Sequence, residues 1–198
     1  MMSCYLTIEA PVEGLYKEKG SRFLSFAFPV ETPAGAMEHI KTIRKEHPKA
    51  RHHCFAYRTG TDGKVFRAVD DGEPQGTAGK PILGQIDKAG LTQTLIVVAR
   101  YFGGTLLGAA GLMRAYRESA ADAILHAQII EKVVHDYYRI TCGYDALKPL
   151  KARLKKSKAE IVEEHFGEEC KLTVAVEAKI IFPEVIPGLW KHEWLYTR

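Results

Sequence analysis

The sequence predicts an α+β chain of two units, residues 1–134 and 135–198, and three observations carry that expectation. First, an apolar run from Leu95 to Ala99 ends in Arg100, then Gly103, Gly104, Gly108 and Gly111 lead into a long helical pattern, so strand, glycine loop and helix follow one another. Second, the runs 52–59 and 64–69 flank Gly60-Thr61-Asp62-Gly63, and Asp-Gly between two strand-like runs is a hairpin signal. Third, the pattern breaks at 129–134 and a new order of strand, helix, strand, strand and helix begins.

Taken in order, Tyr5–Glu9 alternates loosely and predicts an edge strand, and Lys17, Lys19 and Arg22 surround a basic turn at Gly20-Ser21. Residues 22–30 read as a strand with Phe23, Ser25 and Ala27 on one face and Leu24, Phe26 and Phe28 on the other. A hydroxyl before proline at Thr32-Pro33 opens a helix. Met37, Ile40 and Ile43 form its buried stripe, and His47-Pro48 stops it. After the hairpin, 70–81 is too polar and too rich in glycine for core, so it is a surface loop. Pro81 starts a short helix that Gly90 ends. The strand 94–100 follows, then a helix over 109–128 burying Leu112, Tyr116, Ala120, Ala123, Ile124 and Ala127. In the second unit, 137–144 is a strand, and Asp145 is placed to cap a helix with Leu147, Leu150 and Leu154 inward. Glu160–Phe166 and Cys170–Ala178 are strands, Pro183–Leu189 a last short helix, and the closing WKHEWLYTR pairs with or covers an edge.

The apolar fraction of 46% and charged fraction of 26% are those of a globular protein. No apolar run is long enough to span a bilayer, and the N-terminus lacks the basic and apolar regions of a secretory signal. The expectation is a cytoplasmic protein with no membrane partner, a monomer being favoured over an oligomer while the sequence leaves the oligomeric state open. Cys4, Cys54, Cys142 and Cys170 are widely spaced and form no metal-ligand motif, so four reduced thiols are expected unless folding gathers them. The net charge of +4 permits an acidic partner without requiring one.

The runs RHHCFAYR, DDGEPQGTAGKPIL and VVARYFGGTLLGAAGLMRAYRESA resemble the hallmark segments of the IMPACT/YigZ family. The likeness runs from KGSRF at 19–23 to the helix ending near Gln128, and the second unit resembles the C-terminal domain of bacterial members. The resemblance implies a first domain of the α/β fold shared with domain two of ribosomal protein S-five and with the GHMP kinases. It implies a ferredoxin-like second domain akin to the last domain of elongation factor G. Eukaryotic members regulate translation through the pathway that senses uncharged tRNA. For bacterial members the implied partner is RNA, the ribosome or a translation factor. The family supplies no catalytic residues, metal or cofactor to carry over. Gln75 stands where many members have serine, and the WKHEWLYTR tail departs from the bacterial pattern.

The glycine loop is the leading candidate for a phosphate or nucleic-acid site. Backbone amides of Gly103, Gly104, Gly108 and Gly111 would face the anion, with Lys80, Arg100, Arg114 and Arg117 adding charge. The competing reading makes the glycines a packing device and pairs the arginines with carboxylates. Asp70, Asp71 and Glu73 fit either metal or acid/base chemistry, or caps and ion pairs to those arginines. The two loops are expected to meet in one groove lined by His53, Asp71 and Glu73. Adjacent His52 and His53 point to opposite faces of their strand. Lys148, Lys151 and Lys155 give the second unit a basic helix face, suited to RNA phosphates or simply to a mixed-charge surface. Three functions stay open: an RNA- or ribosome-binding regulator, an enzyme acting on a phosphorylated small molecule or nucleotide, and a protein-interaction adaptor.

Overall fold

The computed structural model describes residues 4–178 and 191–198. They divide into two compact units, Leu6–Lys132 and a second made of Val133 onward together with Cys4 and Tyr5.

The first unit is built on a five-stranded antiparallel sheet. Its strands are β2 (Val12–Glu18), β3 (Ser21–Pro29), β4 (His52–Thr59), β5 (Val65–Val69) and β6 (Thr94–Tyr101), in the spatial order β2-β3-β6-β4-β5. Strand β1 (Cys4–Ile8) pairs apart from them with β7 (Ile129–Val133) as a two-stranded ribbon. Both faces of the sheet are covered, and the two-residue period of each strand sorts its side chains between them. Phe23, Ala27, Cys54, Ala56, Ile96 and Val98 pack under α2 (Gly79–Lys88) and α3 (Gly108–His126). Phe26, Phe55, Tyr57, Leu95, Val97 and Ala99 pack under α1 (Pro33–Glu46). The predicted split of β3 into two faces therefore holds, and the central strand β6 is apolar from Leu95 to Ala99 because neither face of that stretch meets water.

Local signals explain most element ends. Thr32 caps α1 through its hydroxyl on the Gly35 amide at 3.1 Å, with Pro33 in the first turn. The β4–β5 hairpin closes over residues 60–64, with Gly60 and Gly63 at positive φ. Strand β2 is an element the sequence reading omitted. Its residues alternate between half-buried and exposed, a weak edge pattern, and it turns into β3 through Lys19-Gly20, both at positive φ, as a tight two-residue hairpin requires. Strand β7 was missed as well, since most of its side chains are exposed. Helix α2 begins at Gly79, two residues before the expected Pro81.

The second unit has β8 (His135–Cys142), α4 (Tyr144–Lys156), β9 (Glu160–Phe166), β10 (Cys170–Glu177) and β11 (Lys191–Thr197). Its antiparallel sheet runs β11-β8-β10-β9, the fourth strand beside the first and the third between first and second, which is ferredoxin-like order. Ile140, Leu150, Leu154, Leu172, Val174 and Val176 form its core. Gly143 is the N-cap of α4 and no side chain caps it, so Asp145 lies in the first turn instead of at the expected cap. The C-terminal tail does pair, as β11 on the edge of β8. The expected helix at 183–189 lies outside the described residues.

Candidate functional site

Strand β6 stays buried to its end and delivers Arg100 beneath α3, on the face shared by Ile96 and Val98. The Arg100 side chain is only 6% exposed. Its Nη1 donates to Glu73 Oε1 at 2.6 Å, and the same oxygen accepts the Tyr116 hydroxyl at 2.8 Å. The guanidinium lies 5.4 Å from the ring centre of Phe23 and 5.7 Å from that of Phe102. Its Nε is buried and finds no acceptor among the described residues.

Glu73 is held there by the loop that precedes α2. The Asp70 carboxylate accepts the amides of Gly76 at 2.8 Å, Ala78 at 3.0 Å and Gly79 at 2.8 Å, which folds the loop and caps the start of α2. Burial opposes the charge on Asp70, but those amides and nearby Lys80 hold its carboxyl below the usual value. Asp71 turns the other way, accepting the His53 amide at 2.7 Å and Arg44 at 2.6 Å.

The neighbouring histidines separate as adjacent strand residues must. His52 enters the site: its Nδ1 lies 2.9 Å from the Asp71 carbonyl oxygen and its Nε2 lies 3.8 Å from Glu73 Oε1. His53 lies on the α1 side, buried, with Nε2 donating to the His47 carbonyl at 3.1 Å. Burial, aided by the charge of Arg44 and opposed by that hydrogen bond, keeps its pKa below the ordinary imidazole value. The expectation that His53 lines the groove is therefore corrected to His52.

The two loops enclose a cavity of about 370 Å³. Its polar lining is Arg51, His52, Glu73 and Arg100, its apolar lining Pro74, Phe102, Leu106, Leu107 and Leu112, and Gly108 and Ala109 at the start of α3 also border it. The N-cap of α3, Leu107, contributes no side-chain hydrogen bond, and the first turn holds no acidic residue. The amides there keep the anion-attracting character of a helix start.

Several predicted residues stand elsewhere. Gly103 packs its backbone on the Lys19-Gly20 turn: an added Cβ would come within 1.9 Å of the Gly20 carbonyl carbon. Its amide donates to the Ser21 hydroxyl at 3.1 Å, so it serves packing and offers no amide to the cavity. Gly104 and Gly111 do not line the cavity, and neither does Lys80, which is exposed. Arg114 is bonded to Glu18, and Arg117 lies 3.2 Å from Glu118, so both are surface ion pairs. Asp71 is turned away by Arg44 and the His53 amide. In the second unit Lys151 bonds Glu164 at 2.6 Å, while Lys148 and Lys155 are exposed on α4. Of the predicted site residues, Arg100, Glu73 and Gly108 line the cavity.

Nothing in the sequence pattern singles out Arg51, and Tyr116 falls on the buried stripe of its helix. Tyr116 sits at the i+4 position from Leu112 and its apolar company hides the one polar atom that reaches Glu73. Cys54 shares the network, its Sγ donating to the Asp70 carbonyl at 2.9 Å and lying 3.2 Å from the Tyr116 hydroxyl. Burial pushes both the Cys54 thiol and the Tyr116 hydroxyl far up, with the nearby carboxylates adding to it. Both stay protonated near neutrality, and Cys54 is no nucleophile there. Among the described residues no group of three or more His, Cys, Asp or Glu side chains is placed to hold a metal.

The family models place the chain. Residues 19–124 match the Impact N-terminal domain, and residues 140–181 match a domain of unknown function, DUF1949. This chain belongs to the IMPACT family. The IMPACT family member YvyE of Bacillus subtilis is 36% identical over 179 residues, covering 90% of this chain and 82% of the relative. The IMPACT family member YigZ of Escherichia coli is 35% identical over 179 residues, covering 89% and 88%. The crystal structure of a hypothetical protein superposes with a TM-score of 0.78 at 31% identity, over 99% of each chain. Family membership thus takes in both units. The matched Impact segment contains every residue of the cavity wall. No helix of the described residues is long and apolar enough to cross a membrane.

Proposed function

We propose that this protein is a translation-associated regulator that binds RNA of the translation apparatus through the first unit, around the mouth of the cavity. One observation supports the reading above the others. At the cavity, Arg51, just before β4, lies 5.9 Å from the ring centre of Phe102, and at the same end of the sheet, on its α1 face, Arg22 of β3 lies 5.1 Å from that of Tyr101. Both arginines are exposed, and Phe102 keeps 41% of its surface open. Exposed cations interleaved with aromatic faces suit phosphates and unpaired bases together.

Filter binding of tRNA, ribosomal subunits and random RNA at several salt concentrations tests this. Retention should fall as salt rises, and Arg51→Ala and Arg22→Ala should each weaken it and flatten the salt dependence by about one contact. Salt-insensitive retention, or variants that bind as the parent does, would sink it. Capture of a protein partner that survives nuclease and high salt would instead favour an adaptor docking on exposed Leu106 and Phe102.

A second reading has its own support. A cavity of about 370 Å³ is the size of a small-molecule site, which favours an enzyme acting on a phosphorylated compound in the same place. Turnover of nucleotides or sugar phosphates, lost in His52→Ala, would establish it.

A further inference from the structure

We infer that the cavity between residues 72–74 and 106–109 is a site for one nucleoside monophosphate, taken either as an unstacked nucleotide of an RNA or as a free mononucleotide. The inference rests on the RNA-binding reading only for the first of those sources.

The residues around the cavity ask for different chemistry. Part of the lining is apolar: Pro74, Phe102, Leu107 and Leu112. A flat heteroaromatic base can be buried against Pro74, Leu107 and Leu112, whereas a sugar phosphate or bare phosphate would leave that surface wet. At the edge stand the uncapped start of α3 at Gly108 and Ala109, and the exposed guanidinium of Arg51. A phosphate there meets backbone amides and one charge-assisted donor. The helix has 19 residues, so its start carries a full dipole end.

A second observation points to a ligand independently of the helix. Arg100 on the cavity wall is 6% exposed, and its Nε has no acceptor among the described residues although the group is cationic. Buried donors of this kind are rarely left unmatched. The Glu73 carboxylate does not exclude an anion, because its Oε1 already accepts from both Arg100 and Tyr116 deep in the wall. Arg51 and the helix start at Gly108 and Ala109 are exposed, so a phosphate reaches them from solvent. His52 Nε2, 3.8 Å from Glu73 and facing the same space, offers a further donor to a base edge or phosphate when it carries a proton.

The experiment is titration of the full chain with AMP, GMP, CMP and UMP, with the matching nucleosides and inorganic phosphate in parallel, followed by isothermal calorimetry or ligand-observed NMR. A nucleoside monophosphate should bind at least about tenfold more tightly than its nucleoside or phosphate alone. Ala109→Asp is the informative variant. A carboxylate in the first turn complements the helix dipole, so its melting temperature should hold or rise, while nucleotide affinity drops about tenfold. A short single-stranded RNA that displaces the mononucleotide identifies an RNA nucleotide as the occupant. Mononucleotide binding that RNA does not displace identifies the free compound, which keeps the site and removes the RNA reading. Absence of binding by every mononucleotide overturns the inference. So does RNA binding at full strength in Ala109→Asp without competition by mononucleotide, a result that leaves the RNA reading of the rim intact.

Discussion

Glu73→Gln isolates the charge that holds the floor of the site together. Its side chain is 4% exposed and that of its partner Arg100 is 6% exposed, so neither charge can recover solvation by a small movement. The amide keeps the shape and can still accept from Tyr116, but Arg100 becomes a buried cation whose Nη1 faces a neutral oxygen and whose Nε has no acceptor among the described residues. Removing one member of a buried pair costs about 3–5 kcal/mol. A domain of ordinary stability has only about 5–15 kcal/mol in total. At about 3 °C per kcal/mol for a chain of this size, the first unit should lose about 10 °C in melting temperature. The assay is urea unfolding followed by near-ultraviolet circular dichroism, with Arg100→Met and the double variant completing a cycle. The double variant should recover part of the loss, since two neutral side chains carry no stranded charge. A loss below about 1 kcal/mol for Glu73→Gln, or full additivity in the cycle, would show that the pair behaves as a surface ion pair and would refute the reasoning.

Four further outcomes follow from the same geometry. Asp70 has a depressed folded pKa, so its contribution is present above the ordinary carboxylate value near 3.8 and is lost as pH falls through the folded value. Parent minus Asp70→Asn stability should therefore shrink in acid, and a difference independent of pH would contradict the role of the three amides. His53 is likewise depressed: the unfolded chain takes up protons first, so stability should fall as pH drops below about 6.5, and His53→Asn should flatten that slope in pH-dependent melts. Gly103→Ala sets a Cβ against the Gly20 backbone and should cost about 1–3 kcal/mol, with Phe102 displaced; an unchanged melting temperature would show that the loop moves freely. Timed alkylation read by mass spectrometry should mark half-buried Cys4 first and Cys54, Cys142 and Cys170 only on unfolding.

The family, the two-unit α+β plan and most elements were legible in the sequence because they rest on short-range physics. Period-two alternation put Phe23 and Phe26 on opposite faces, and Thr32-Pro33 opened α1. Edge elements escaped where that physics is weak: β2 and β7 bury too little to leave a clear period. The site was legible in part. Arg100 and Glu73 could be singled out as charges in unusual company, but alternation says only that His52 and His53 differ, not which faces inward. That choice belongs to the sheet, which lays α1 over one face and α3 over the other. The tertiary structure alone paired Arg114 with Glu18 from 96 residues away and set Gly103 against Gly20. It also gathered Cys142 and Cys170 as direct cross-strand neighbours, both free thiols. The glycine loop thereby changes character, from a row of amides offered to phosphate into a packed corner with one open helix start. Sequence determines which residues carry charge, turn or period. Which charges meet each other, and which are left facing a cavity, depends on contacts between segments far apart in the chain.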